Sequence, residues 1–190
     1  MLAPNFSPFP LVKTERLLLR QFTLADAAGV HQLRSDDSVM QFINRPLTQT
    51  IGDAEAWIRL ILDALQKGDG ITWCMCLKDD PATHVGSIGL WRIEKENYRA
   101  EIGYMIQPRL QGKGYMYEAL QAVVHYGFTE MRLHSVEARI DPGNVASAAL
   151  LHKSGFVQEA HFKENYYNRG RFADTAVYSK LAPNDVQANE

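Results

Sequence analysis

The chain has 190 residues, 46% of them hydrophobic and 22% charged, with a formal net charge of −2. That length can bury a core without disulfides or metal, and the balance is that of a globular protein, not of a disordered or fibrous one. The near-neutral charge gives no broad positive field for a phosphate backbone, which argues against nucleic acid as a partner.

Pro4, Pro8 and Pro10 mark the first ten residues as an extended, flexible lead-in without the basic start and apolar run of a signal segment. No stretch nears membrane-spanning length, so a cytoplasmic protein with no membrane contact is expected. Residues 15–22 carry three consecutive leucines and read as a strand. Thr23 can cap a helix running to about Arg34, with Asp26 adding negative charge to its first turn. Asp53 is then expected to cap an amphipathic helix, since Ala54, Trp57, Ile58, Ile61, Leu62 and Leu65 recur at three and four, and Gly68 ends it. Three strand-like runs follow, 71–77, 84–93 and 99–106, with polar turns suited to antiparallel hairpins. Cys74 and Cys76 alternate onto one face of the first of these. Residues two apart rarely reach disulfide geometry, and two thiols are too few for zinc, so they read as buried free cysteines.

The period then changes. Met116, Ala119, Leu120, Val123, Val124 and Gly127 fall at helical spacing, and 135–140 reads as a strand, which implies a crossover. A short helix opens at 142–144 and closes at Gly155, before a last pair of strands, 156–162 and 174–181, with fraying from Ala182. No repeat, linker or low-complexity segment divides the chain. The expected fold is α/β (α+β): one domain over 1–190, its core at about 13–181, with a single mixed, mostly antiparallel sheet and helices on both faces.

The segment from Glu101 to Leu120 carries the most chemistry. A strand passes through Gly112 and Gly114 into an amphipathic helix, leaving the amides of Gln111 to Tyr115 free to point at an anion. The positive helix end would contribute roughly 0.3–1 kcal/mol, and Arg109 and Lys113 could add charge-assisted bonds to a diphosphate. A plain glycine-containing turn is the alternative, because neither the P-loop pattern nor the dinucleotide fingerprint is present.

Arg109, Gly112 and Gly114 together resemble the acetyl-CoA-binding motif of the GNAT acetyltransferases. Residues 144–156, from Asn144 and Ser147 to the closing Gly155-Phe156, resemble that superfamily's second signature. The start at 14–20, the strand Glu101–Tyr104 and the late stretch 170–174 are similar to its ribosomal-protein N-terminal acetyltransferase (RimJ/RimL-like) branch. This resemblance implies that the fourth and fifth strands splay apart to take the pantetheine arm of acetyl-CoA, which would pair with backbone around Met105 and Ile106. It further implies a pyrophosphate on Gln111, Gly112, Lys113, Gly114 and Tyr115, Asn144 on the cofactor arm, and Ser147 near the sulfur. Asn is also a favoured helix cap and Ser an ordinary first-turn residue. The branch often has smaller residues where Met116 and Tyr117 stand, and an aromatic where Leu110 and Gln111 stand.

Acetyl transfer to an amine needs a neutral nucleophile, a stabilised oxyanion and a protonated leaving thiol. A protein α-amino group, with a reference pKa of about 8, costs about 3 kcal/mol less to deprotonate than a lysine. Ser147 can act as the acid toward the thiolate, and an amide of Met105 or Ile106 can hold the oxyanion. Glu101, in a central strand, is the candidate base; pairing with Arg139 is its structural alternative. Tyr166 and Tyr167 are further candidates near the acceptor side. The six histidines show no metal-ligand spacing, and no metal is expected. The resulting expectation is transfer from acetyl-CoA to a primary amine, a protein N-terminus or a small molecule, through a ternary complex. A non-catalytic acyl-CoA sensor and another phosphate-binding α/β module are the alternatives. Monomer and homodimer are both compatible with the sequence.

Overall fold

Alternation along the central strands decides which helices cover which face. In β3 (Gly70–Leu77), Ile71, Trp73 and Met75 join the larger core cluster, whereas Cys74 and Cys76 join a second cluster on the opposite face. A strand buried on both sides needs cover on both. The larger cluster is closed by α4 (Tyr115–Thr129) and α5 (Val145–Lys153), the second by α1 (Ala27–Arg34) and α3 (Ile51–Lys67). The computed structural model describes residues 1–183. It forms one eight-stranded sheet in the order β1-β2-β3-β4-β5-β6-β8-β7. The strands are β1 (Val12–Lys13), β2 (Leu17–Arg20), β3, β4 (Asp80–Glu94), β5 (Arg99–Ile106), β6 (Ser135–Ile140), β7 (Val157–Asn168) and β8 (Arg171–Leu181). All pairs are antiparallel except β5 with β6.

The expected mixed sheet with helices on both faces is present, with local corrections. The lead-in is docked: Leu2 and Phe6 are buried in the main cluster, and Trp73 Nε1 donates to the Pro10 carbonyl at 2.7 Å. Thr23 starts one 3₁₀ turn, Leu24–Asp26, and α1 begins only after it. The cap of α3 is Thr50, not Asp53. Thr50 Oγ1 accepts from the Asp53 amide, and the Asp53 carboxylate accepts from the Thr50 amide in return. Such a capping box starts the helix three residues before its acid. A four-residue helix α2 (Asp37–Met40) precedes it. Gly68 ends α3 with φ of 66°, as its position suggested. β7 and β8 run further toward each other than expected, meeting at Arg169 and Gly170, so Tyr166 and Tyr167 lie within a strand. Ala182 is buried and donates to the His134 carbonyl; residues 184–190 of the expected frayed tail lie outside the described residues.

The feature that positions the site is a short ladder. β5 and β6, the fourth and fifth strands of the sequence reading, pair only at Arg99–Ser135, Ala100–Val136 and Glu101–Glu137. Beyond these rungs β4 holds β5 as far as Ile106, and β8 holds β6 as far as Ile140. Each strand follows its outer neighbour, and a wedge opens between them.

Candidate active site

Because β5 and β6 are parallel, the helices that follow them, α4 and α5, both begin at the open side of the wedge. Two helix N-termini at one edge make it electropositive without any lysine. Gly112 and Gly114 adopt φ of 71° and 81°, and Gly114 is the N-cap of α4. A Cβ on Gly112 would meet no atom within 4 Å, so glycine is needed there for backbone conformation and not for space. The amides from Gly112 into the first helical turn precede any helical acceptor, as a phosphate cradle requires. Gln111 is a correction: its amide is already committed to the Pro108 carbonyl at 3.1 Å, and its side chain reaches toward the Ile106 carbonyl. Lys113 is exposed, and Arg109 is exposed with its Nε on Gln107 Oε1 at 2.8 Å.

Arg16 braces this loop. Its Nη1 donates to the Lys113 carbonyl at 3.0 Å, its Nε to Glu118 at 2.7 Å, and its guanidinium lies 4.3 Å from the Tyr115 ring centroid. Burial works to raise the Glu118 pKa, but hydrogen bonds from Thr14 and Arg16 outweigh it and hold the carboxyl below its ordinary value. Met116 is buried in the main cluster, and Tyr117 lies under Lys153.

On the other side of the wedge, Asn144 Oδ1 caps α5 by accepting from the Ser147 amide at 3.1 Å. Its amide nitrogen has no protein partner among the described residues. Ser147 is buried, and its Oγ lies 2.7 Å from the hydroxyl of Tyr104, which belongs to the part of β5 that no longer pairs with β6. Burial pushes the Tyr104 hydroxyl up to about 12. Tyr104 is a site residue that the sequence analysis does not single out. The available signal was its period-two spacing with Ile102 and Ile106, which puts a hydroxyl on a core face where it must find a partner.

Ser147 and Glu101 are not brought together. Tyr104 and Ser147 lie on the α4–α5 face, while strand alternation sends Glu101 to the other. Glu101 occupies the last rung of the ladder and pairs with Arg92 at 2.9 Å; Arg139 pairs instead with Glu137. Met105 and Ile106 line the opened part of β5. At the end of β6, Asp141 accepts from the Gly143 amide at 2.7 Å and lies 4.0 Å from Arg171. Burial, then the Asp141 carboxylate, raise the Tyr166 hydroxyl, whereas Tyr167 is exposed against Phe172. Among the described residues no group of three or more His, Cys, Asp or Glu could hold a metal ion, and no helix is long and apolar enough to cross a membrane.

A family profile described as "Acetyltransferase (GNAT) domain" matches residues 16–157, a span that includes the wedge, both glycines, Asn144 and Ser147. The chain belongs to the GNAT acetyltransferase family. A Bacillus subtilis relative named as the uncharacterized N-acetyltransferase YoaA is 33% identical over 177 residues, covering 93% of this chain and 99% of the relative. Among solved structures, RimL, a ribosomal L7/L12 alpha-N-protein acetyltransferase in complex with coenzyme A, superposes with a TM-score of 0.83 at 21% identity, covering 91% of this chain and 98% of its own. A spermidine N-acetyltransferase from Vibrio cholerae, in complex with CoA and spermine, gives 0.77 at 22% identity, covering 87% and 95%. At those identities the two structures establish the fold. As a GNAT family member the chain is an acetyltransferase, and the two fold neighbours differ in the kind of amine they are named for.

Proposed function

We propose that this chain moves an acetyl group from acetyl-CoA to a primary amine by direct attack within a ternary complex. The observation that carries the reading is the Tyr104–Ser147 hydroxyl pair, 2.7 Å apart at the mouth of the wedge. The donor set suits the co-substrate: free amides from Gly112 to Tyr115, with Arg109 and Lys113, for a diphosphate, and unpaired strand edge near Met105 and Ile106 for an amide-bearing arm. The Asn144 amide nitrogen is free to bond that arm while its oxygen caps α5.

Ser147 Oγ–H passes its proton to the departing thiolate and takes one back from water as the thiol leaves. Tyr104, kept protonated by burial, donates to Ser147 Oγ and so turns the serine's own proton toward the cleft. Glu101 can take the amine's proton if the acceptor enters from its face; Glu101→Gln then lowers kcat at unchanged acetyl-CoA affinity. A protein N-terminus or a small amine of similar basicity needs only a modest base, through a water if Glu101 is bypassed. The fold neighbours named for a ribosomal-protein N-terminus and for spermidine span both acceptor kinds. No observation favours a non-catalytic acyl-CoA sensor. Asn144→Ala and Ser147→Ala should each cut turnover at least about tenfold, with Tm moving by only a few degrees. Unchanged turnover in both would remove these residues from the chemistry.

A further inference from the structure

Among the described residues, Asp26 and Arg34 are the buried charges, and Arg34 alone has no counter-charge. Asp26 is held by both terminal nitrogens of Arg20, at 2.6 and 2.9 Å. Arg34, at the end of α1, is only 7% exposed, its Nε has no hydrogen-bond partner, and it enters no ion pair among the described residues. Its guanidinium rests on the Trp57 ring, 4.9 Å from the centroid. Burying a cation without a counter-charge is unfavourable, and a second cation nearby makes it more so. Arg45 is that second cation: burial first, and the like charge of Arg45 second, hold Arg34 below the usual arginine pKa. Arg45 is itself exposed, with a 3.5 Å contact to the Asn44 carbonyl and no carboxylate partner among the described residues.

Arg45 lines a cavity of about 430 Å³, together with Asn44, Asn168, Arg169 and Asp37. Arg169 and Asp37 neutralise each other at 2.5 Å, so the surplus charge among the residues lining the cavity is that of Arg45. Two contacts connect the segments that line this cavity to the wedge. Phe42, on the same loop, lies so near Gly143 that a Cβ there would sit 3.5 Å from its ring, and Gly143 precedes the Asn144 cap of the Ser147 helix. Asn168 and Arg169 form the tip of the hairpin that carries Tyr166.

From this juxtaposition we infer that the cavity lined by Arg45 binds a carboxylate carried by the acceptor close to the amine that is acetylated. A guanidinium presents paired donors to a carboxylate, and the two asparagines add neutral donors around it. The acceptor is then an amine of acidic character, an acidic peptide N-terminus or a small amino acid, and not a polyamine. This substrate class rests on the transfer reading above, but the anion site can be measured without it.

The test uses the full chain and two readouts. Calorimetry measures binding of the peptide amides Ser-Glu-Glu-Ala and Ser-Ala-Ala-Ala, and mass spectrometry measures their acetylation with acetyl-CoA, beside γ-aminobutyrate, butylamine and spermidine. The acidic peptide should exceed its neutral partner at least tenfold in affinity and in kcat/KM. Arg45→Ala should reduce that ratio to within twofold, and Asp37→Asn, which releases Arg169, should increase it. γ-Aminobutyrate exceeding butylamine would extend the site to small acids; a preference confined to the peptides would assign it to N-termini. Charge-dependent binding that needs Arg45, with no acetylation of any amine, would uphold the anion site and defeat the transfer reading. Acetylation indifferent to charge, a preference for spermidine, or a ratio unmoved by Arg45→Ala would overturn the inference while transfer stood. Arg34→Met is secondary, because a buried side chain can fail to fold; the exposed Arg45 carries the test.

Discussion

A hydroxyl on the core face of a strand must find a partner, and Tyr104 finds Ser147. If Tyr104 acts by aiming the serine, Tyr104→Phe should lower kcat about tenfold, or about 1.4 kcal/mol, with the KM for acetyl-CoA within about twofold. In a Ser147→Ala background the same change should add nothing, since the group it positions is gone; fully additive losses would mean that Tyr104 acts elsewhere. His84 belongs to the stability of the molecule instead. It is buried against Phe22 and Gly29, neither ring nitrogen has a hydrogen-bond partner among the described residues, and burial pushes its pKa down from 6.5 to about 4. The unfolded chain binds this proton more readily than the folded one, so the contribution is complete above pH 6.5 and is lost as pH falls toward 4. Between pH 7 and 5 the loss is about 2 kcal/mol from this group alone. Urea denaturation at the two pH values should therefore give a smaller loss for His84→Phe than for the parent, and equal losses would contradict the assignment.

Elements whose pattern is local were legible before the structure was in hand. β5 and β6 fall on the expected residues, because alternating burial within a central sheet leaves a period-two signature. β7 was read too short because it is an exposed edge strand with a bulge between Phe162 and Tyr166, so no apolar alternation marks its second half. Asp53 resembles a cap in sequence because acids favour both N-cap and N3; only the reciprocal bond to Thr50 separates them. Thr50→Ala should cost about 1 kcal/mol in denaturant titration and leave kcat/KM unchanged, since α3 packs away from the wedge. The glycine turn and the Asn144 cap were readable within short stretches. The Tyr104–Ser147 contact, across 43 positions, was not, and neither was Glu101–Arg92, which depends on the irregularity between Trp91 and Glu94 and on Arg92 taking φ of 46°. Gly114→Ala, at a φ of 81° with Arg16 Nη2 3.4 Å from the new Cβ, should cost about 1–2 kcal/mol of backbone strain and raise the KM for acetyl-CoA.

At the scale of the whole molecule, one parallel pair inside an otherwise antiparallel sheet creates the wedge proposed as the site. It sends two helices off the same edge, and the antiparallel neighbours on either side pull the pair open after three rungs. Family membership fixes the reaction class, while the loops that flank the wedge, where we place the acceptor, carry no periodic pattern to read. The most direct measurement is mass spectrometry of a mixed library of small amines and peptides with varied N-termini, incubated with acetyl-CoA and the purified protein. An acetylated primary amine whose formation falls at least tenfold in Ser147→Ala is the predicted result; a consumed acetyl-CoA pool with no acetylated amine, or formation indifferent to Ser147, would contradict the account.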